Sequence, residues 1–341
     1  MAVTRRGFLQ GVAGAGAGLM MTRHLPAAAQ DAATLERNKA VVLRYKKAQG
    51  TAEEAAVIRE TVAPGSTRLR AGFTHLAANA RDQGFPDTGS NLRAAIPDRV
   101  DIIEDIIADG NQVGLLFRVT GTHSGNFYGI PATGRKIDVY EAGLFTLTDG
   151  RITSSWFMAD EAALLRQLQA KLPPRKDGRF IVPPVTDEGM DGDTLLAKTG
   201  ARPPATEAER NKLIVARSKA SNPPADNRAP DYKQRRQGFQ HLRDHGIATK
   251  TEKETPTSAF PDRRDFVDGL MGEGDKVWMQ FRLRGTQTRP LYGVAPTGKK
   301  VDVAEIGIMR FADGQWKEGW YFGDELGMLL QLGVPNLLTG G

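Results

Sequence analysis

The sequence predicts an α+β fold built twice in one chain, and two observations predict it. A long phrase recurs, "NFYGIPATGRKIDVYEAG" at 126–143 and "PLYGVAPTGKKVDVAEIG" at 290–307. Within each copy, apolar residues at helical spacing come first and strand-like runs follow. Tyr128, Gly129, Thr133, Gly134, Lys136, Asp138, Val139, Glu141 and Gly143 return as Tyr292, Gly293, Thr297, Gly298, Lys300, Asp302, Val303, Glu305 and Gly307, each 164 positions on.

The first 29 residues are set aside before any fold argument. "TRRGFLQ" at 4–10 precedes a Gly/Ala-rich run to Met21 and then "AAA" at 27–29. This order resembles a twin-arginine export signal cleaved after Ala29. It implies a periplasmic or secreted protein delivered by the twin-arginine machinery, free of the membrane once cut. The apolar run falls short of the roughly 20 residues a membrane-spanning helix needs, and an uncleaved anchor is the alternative.

The chain has 46 Lys+Arg against 40 Asp+Glu and no cysteine. Arg5, Arg6 and Arg23 belong to the leader, so a surplus of three remains on the working protein. That surplus is too small and too scattered for a nucleic-acid footprint. The missing cysteines exclude a thiol nucleophile and any thiolate metal site.

The duplication runs beyond the opening phrase. "ERNKAVV" at 36–42 answers "ERNKLIV" at 209–215, "GFTHL" at 72–76 answers "GFQHL" at 238–242, and "DGRITSSWFMADEAALLRQL" at 149–168 answers "DGQWKEGWYFGDELGMLLQL" at 313–332. A period this long means duplicated domains, since solenoid repeats are much shorter. The domains are read as 36–170 and 209–335, joined by a linker at 171–208 dense in proline, glycine and charge, with little core of its own. The two copies are expected to pack on each other as an intrachain pseudo-dimer.

In order, Leu35, Val41, Val42 and Tyr45, then Ala55, Ala56, Ile58 and Val62, predict helices. "QVGLLFRVTGTH", "RKIDVYEAGLFTLTDGR" and "RITSSWFM" predict strands, bounded by Gly, Pro and Asp. Helices followed by an antiparallel meander give helices packed on one face of a curved sheet.

The last hairpin sets the candidate chemistry. With Asp149-Gly150 as a two-residue turn, Gly143 faces Trp156, Glu141 faces Met158 and Val139 faces Asp160. Side chains alternate with period two, so Glu141 and Asp160 share an apolar face with Trp156 and Met158, roughly 7–8 Å apart. In the second copy Glu305 faces Phe322, Gly307 faces Trp320 and Val303 faces Asp324. Carboxyls in an apolar cavity have raised pKa values, as general acid/base work requires. The alternatives are structural: Asp160 and Asp324 each precede a helical stretch and suit an N-cap, and Glu141 and Glu305 suit a bond to an arginine or a backbone amide.

"GTHSGNFYGIPATGRKI…FTLTDGRI…W…D…LLRQL" and "GTQTRPLYGVAPTGKKV…MRFADGQW…W…D…LLQLG" resemble the signature of the SnoaL-like polyketide cyclase family. The resemblance implies a cone-shaped α+β barrel, of the nuclear transport factor-like fold, with a deep apolar pocket. It also implies cofactor-independent aldol ring closure with an aspartate as acid/base. That aspartate falls on Asp160 and Asp324. Ser155 and Gly319 stand where the family pattern leads us to expect a histidine before the tryptophan.

His75 and His241 occupy matching places and are candidate pocket residues, as are Tyr128 and Tyr292. His123 is matched by Gln287, so chemistry at His123 would make the two pockets unequal. No metal site is expected: His241 and His245 share helical spacing, but "RDHG" suggests that the helix ends there. No phosphate-cradling loop and no serine-hydrolase elbow occur. Two functions follow: a cofactor-independent cyclase, isomerase or hydrolase acting on a small apolar molecule, or a module that binds such a molecule unchanged.

Overall fold

The computed structural model describes residues 27–85, 88–221 and 227–339. Most of the export-signal reading therefore lies outside the described residues. No helix among them is long and apolar enough to cross a membrane.

The first copy begins with α1 (Ala27–Ala48) and α2 (Glu54–Thr61), then β1 (Val62–Arg70), α3 (Thr74–Asn79) and α4 (Thr88–Ala95). The meander follows: β2 (Val100–Asp109), β3 (Gln112–Thr122), β4 (Lys136–Thr148) and β5 (Arg151–Ala159), closed by α5 (Glu161–Leu168). After α6 (Gly192–Thr199), the second copy repeats the plan with α7 (Glu207–Lys219), β6 (Arg228–Arg236), α8 (Gln240–Ala248), α9 (Pro256–Ala259), β7 (Arg264–Glu273), β8 (Lys276–Thr286), β9 (Lys300–Ala312), β10 (Gln315–Gly323) and α10 (Glu325–Leu332). Each copy forms a five-stranded sheet, β1-β5-β4-β3-β2 and β6-β10-β9-β8-β7. The sheets are mixed, because β1 and β6 run parallel to their neighbours while the meanders are antiparallel.

The strands are apolar on both faces because both faces are covered. Val113, Leu115, Phe117, Val139, Phe145 and Leu147 face the helices of the first copy. Leu116, Ala142, Trp156 and Met158 face the other way and meet Met271, Trp278, Ile306 and Phe322 of the second copy. The two sheets thus pack face to face along an apolar seam. Gly114 has no room for a side chain there, since a Cβ would press on Trp278, Met271 and Ile107.

The hairpin turn is as read: Asp149 and Gly150 have φ of 49° and 72°, and Asp313 and Gly314 have 52° and 69°, as a type I′ turn requires. The register beyond it is not. Leu147 faces Ile152, but Thr146 faces Ser154, leaving Thr153 as the extra residue of a β-bulge. Gly143 therefore faces Phe157, and Glu141 faces Ala159. The second copy bulges at Lys317, so Gly307 faces Tyr321 and Glu305 faces Gly323. One inserted residue moves every later side chain to the opposite face, so Trp156, Met158, Trp320 and Phe322 lie on the seam instead of beside the glutamates.

The segment between the copies contributes to the core. Asp191 caps α6 by accepting from the Thr194 amide, and Leu195 is buried with Val215 and Val267 of the second copy. Met190 pairs with Val267 as a bridge residue.

Candidate functional site

Asp160 and Asp324 both cap a helix and both reach into the opposite copy. Asp160 Oδ1 accepts from the Ala163 amide at 3.0 Å, while Oδ2 meets Arg236 Nη2 at 2.6 Å and His241 Nε2 at 3.0 Å. Asp324 Oδ1 accepts from the Gly327 amide at 2.9 Å, while Oδ2 meets Arg70 Nη2 at 2.7 Å and His75 Nε2 at 2.8 Å. The adjacent glutamates work within their own copy: Glu161 accepts from the amides of His75 and Leu76, and Glu325 from those of His241 and Leu242.

Burial pushes Asp324 up, but His75 and Arg70 outweigh it and hold the carboxyl well below the usual range. Asp160 is likewise lowered, against burial, by His241 and Arg236. Both histidines are raised: burial opposes their charge, and the facing aspartates overcome it. The expected pairing of Asp160 with Glu141 and of Asp324 with Glu305 on one strand face is therefore corrected. The bulge turns the register, and each aspartate is bound to the opposite copy.

The glutamates remain inside their own copies. Glu305 is 5% exposed and, among the described residues, makes no hydrogen bond or ion pair. Burial is the main cause holding its carboxyl up to about 7, with nearby Arg263 and Lys219 pulling the other way. It lies on the wall of a cavity of about 950 Å³, with Ser218, Lys219, Phe281, Tyr292 and Tyr321. Gly238 lies beneath the carboxyl, where any side chain would collide with it.

The matching space around Glu141 is only about 60 Å³. Aligning the copies shows why. Tyr45 stands where the second copy has Ser218, and Phe145 where it has Met309. The Tyr45 ring meets Phe145 edge-on at 6.0 Å, and Phe145 meets Phe157 at 5.3 Å, so three aromatics fill the first cavity. Beneath each cavity lies the same charged trio. Lys46 and Arg99 hold Asp101 at 2.8 and 2.7 Å, and Lys219 and Arg263 hold Asp265 at 2.6 and 3.1 Å. Lys46 is so deeply buried that its amine is lowered to about 8. Burial also raises Glu141, with Lys46 opposing.

The other sequence candidates divide between cavity and scaffold. Tyr292 lines the second cavity, while Tyr128 packs on Phe127 and Phe85. His123 Nδ1 lies 3.0 Å from Thr133 Oγ1, and Gln287 Oε1 accepts from Thr297 Oγ1 at 2.7 Å in the same place, so both tie one loop together. Helix α8 continues through His245 to Ala248, where the sequence suggested an end. Asp160, His241 and Glu325 offer donor atoms within 4.8 Å of one another, but Arg236 and Arg166 already present cations to Asp160 and His241. Sequence reasoning missed Ser218, Tyr321 and Lys219. The signal available was the Tyr45-to-Ser218 difference between the copies.

The sequence model of the SnoaL-like polyketide cyclase family matches residues 58–168 and again 222–332, once in each copy. The chain belongs to the SnoaL-like polyketide cyclase family. Among solved structures, one described as a SnoaL-like polyketide cyclase from Jannaschia sp. CCS1 is 24% identical, with 39% of this chain and 92% of that chain covered and a TM-score of 0.33. IdmH, described as a polyketide cyclase from Streptomyces antibioticus, is 25% identical over 38% of this chain and 97% of its own, with a TM-score of 0.32. A structure described as a polyketide cyclase from Acidithiobacillus ferrooxidans is 23% identical over 39% and 94%, with a TM-score of 0.32. None of the curated proteins compared matches the chain.

The cavity asymmetry predicts opposite outcomes for reciprocal substitutions. Tyr45→Ser leaves a void and should cost about 3–5 kcal/mol in urea denaturation. Ser218→Tyr should leave stability within about 1 kcal/mol but abolish the fluorescence gain of anilinonaphthalene sulfonate taken up by the second cavity.

The pKa shifts predict the pH profile of stability. The lowered Asp160 and Asp324 stabilise above the unfolded carboxyl range, and that contribution is lost as pH falls below about 4. The raised His75 stabilises below about 6.5, and its contribution is lost as pH rises through its folded value. Glu305, held up to about 7, costs stability as pH rises from the unfolded glutamate range to that value. Calorimetry should therefore find the highest melting temperature on the acid side of neutrality, and Glu305→Gln should flatten the fall between there and pH 7.

Proposed function

We propose that the second copy binds a small, largely apolar carbonyl compound and that Glu305 moves a proton on it without a cofactor. The observation that carries this is a buried carboxyl with no partner on the wall of a cavity of about 950 Å³, poised near neutrality. As carboxylate, Glu305 takes a proton from the carbon beside the carbonyl, and the C–H electron pair passes into the enolate. The acid so formed returns the proton to carbon or oxygen. An enolate generated in this way supports isomerisation, or ring closure of the aldol type associated with the family. Tyr321, kept protonated chiefly by burial, supplies a hydroxyl to the same cavity. Lys219 and Arg263 lie close enough to favour a developing negative charge.

A second reading, a binding module without turnover, is favoured by Ser155 and Gly319 in place of the expected histidine. We also propose export through the twin-arginine machinery, resting on "TRRGFLQ" and "AAA". N-terminal sequencing of the protein recovered from the periplasm should then begin at Gln30.

Deuterium exchange tests the enzymatic reading. In D₂O the protein should exchange the methyl protons of 2-acetylnaphthalene, with a rate that rises as Glu305 ionises near pH 7. Glu305→Gln should lose that rate by about 10²–10⁴-fold, and Glu141→Gln should not. Binding of the ketone with no exchange above buffer would leave the binding module.

A further inference from the structure

A cleft of about 760 Å³ lies between the copies, apart from the Glu305 cavity. Leu144 and Trp156 of the first copy and Met271 and Ala304 of the second form apolar walls, and Pro183 and Pro184 of the inter-copy segment line one side. Arg70, His75 and Asp324 close one end.

The two pseudo-equivalent histidines differ at one atom. His241 is held at both ring nitrogens, Nε2 by Asp160 at 3.0 Å and Nδ1 by Arg166 Nη1 at 2.8 Å. His75 is held by Asp324 at Nε2 alone, and among the described residues its Nδ1 has no hydrogen bond. The position matching Arg166 is Leu330, buried in the core, so it brings no guanidinium to His75 Nδ1. His75 is only 6% exposed, and it lines the cleft. An accessible ring nitrogen with no protein partner can bond a ligand without breaking a bond within the protein.

The neighbouring charges decide what the ligand is. The carboxyl oxygens of Glu161 are engaged by the His75 and Leu76 amides, and Asp324 is shared between His75 and Arg70. Burial opposes charge on His75, but Asp324 outweighs it and favours the imidazolium, the form that carries an Nδ1–H to donate. Arg70 gives Nη1 to the Phe157 carbonyl and lies 5.4 Å from the Trp156 ring, joining the cationic end to the apolar wall. Arg282, also on the cleft wall, is held by Asp268, Glu188 and Asp302, and Asp302 is shared with Arg284.

We propose that the interdomain cleft is a second ligand site, taking an organic carboxylate with an aromatic or bulky apolar body. The carboxylate accepts from His75 Nδ1–H beside Arg70, and the body lies along Trp156, Leu144 and Met271. The Asp160–His241 end, capped by Arg166, is not such a site.

The probe is 2-naphthoate, added to the full chain while the imidazole nitrogens are followed by ¹⁵N NMR; the sequence has only 5 histidines to assign. His75 signals should shift in a saturable way and those of His241 should not. Naphthalene-2-carboxamide should bind about tenfold more weakly, having lost the charge-assisted hydrogen bond. Ala78→Phe projects into the cleft from α3 and should weaken binding of 2-naphthoate about tenfold or more while the other histidine signals stay in place. No saturable shift at His75, an equal shift at His241, or binding indifferent to Ala78→Phe would each overturn the proposal. Glu305→Gln should leave the His75 response unchanged, so this site and the Glu305 cavity stand or fall separately.

Discussion

One unpaired residue in the last hairpin of each copy governs the rest of the architecture. Because strand side chains alternate, Thr153 and Lys317 exchange the two faces of β5 and β10 from that point onward. Trp156, Met158, Trp320 and Phe322 are thereby delivered to the seam, and Phe157 and Tyr321 to the interior of their own copies. Without the bulges the bulkiest side chains would fill the cavities and leave the sheets with little to pack on each other. The strands end where their last residues must turn outward, which aims Asp160 and Asp324 across the seam.

The seam is then fixed at its ends by a reciprocal exchange of charge. Each aspartate caps its own helix with one oxygen and gives the other to an arginine and a histidine of the opposite copy. Buried ion pairs add little net stability over apolar packing, because desolvation offsets the attraction. Their contribution here is geometric, since apolar sheets alone tolerate sliding whereas bonds at two ends define a single register. The same arrangement holds both carboxyls below the usual carboxylate range, because the facing histidine and arginine outweigh burial and favour the charged form.

The two copies fill the same cavity differently. The first copy keeps the buried glutamate, the glycine beneath it and the Lys–Asp–Arg trio, yet fills the space with Tyr45, Phe145 and Phe157. The second keeps the same polar frame and leaves the space open through Ser218 and Met309. One copy thus supplies packing surface and the partners of Asp324, while the other retains a chamber. The inter-copy segment, read from composition as a linker, adds α6 to the second core because Leu195 and Met190 meet strand β7.

The sequence by itself determined the duplication, the α+β plan, the type I′ hairpin turns and the burial-prone glutamates, since all of these follow from local spacing and from turn chemistry that only neighbouring residues decide. It could not locate the bulges. An extra residue in a strand leaves no mark in composition, and "RITSSWFM" fits either register until the opposite sheet is present to receive Trp156. Nor could it show that His75 and His241 would meet aspartates 249 and 81 positions away along the chain. Those contacts exist only because two sheets pack face to face, and the depth of each cavity depends likewise on which aromatic rings the tertiary fold turns inward.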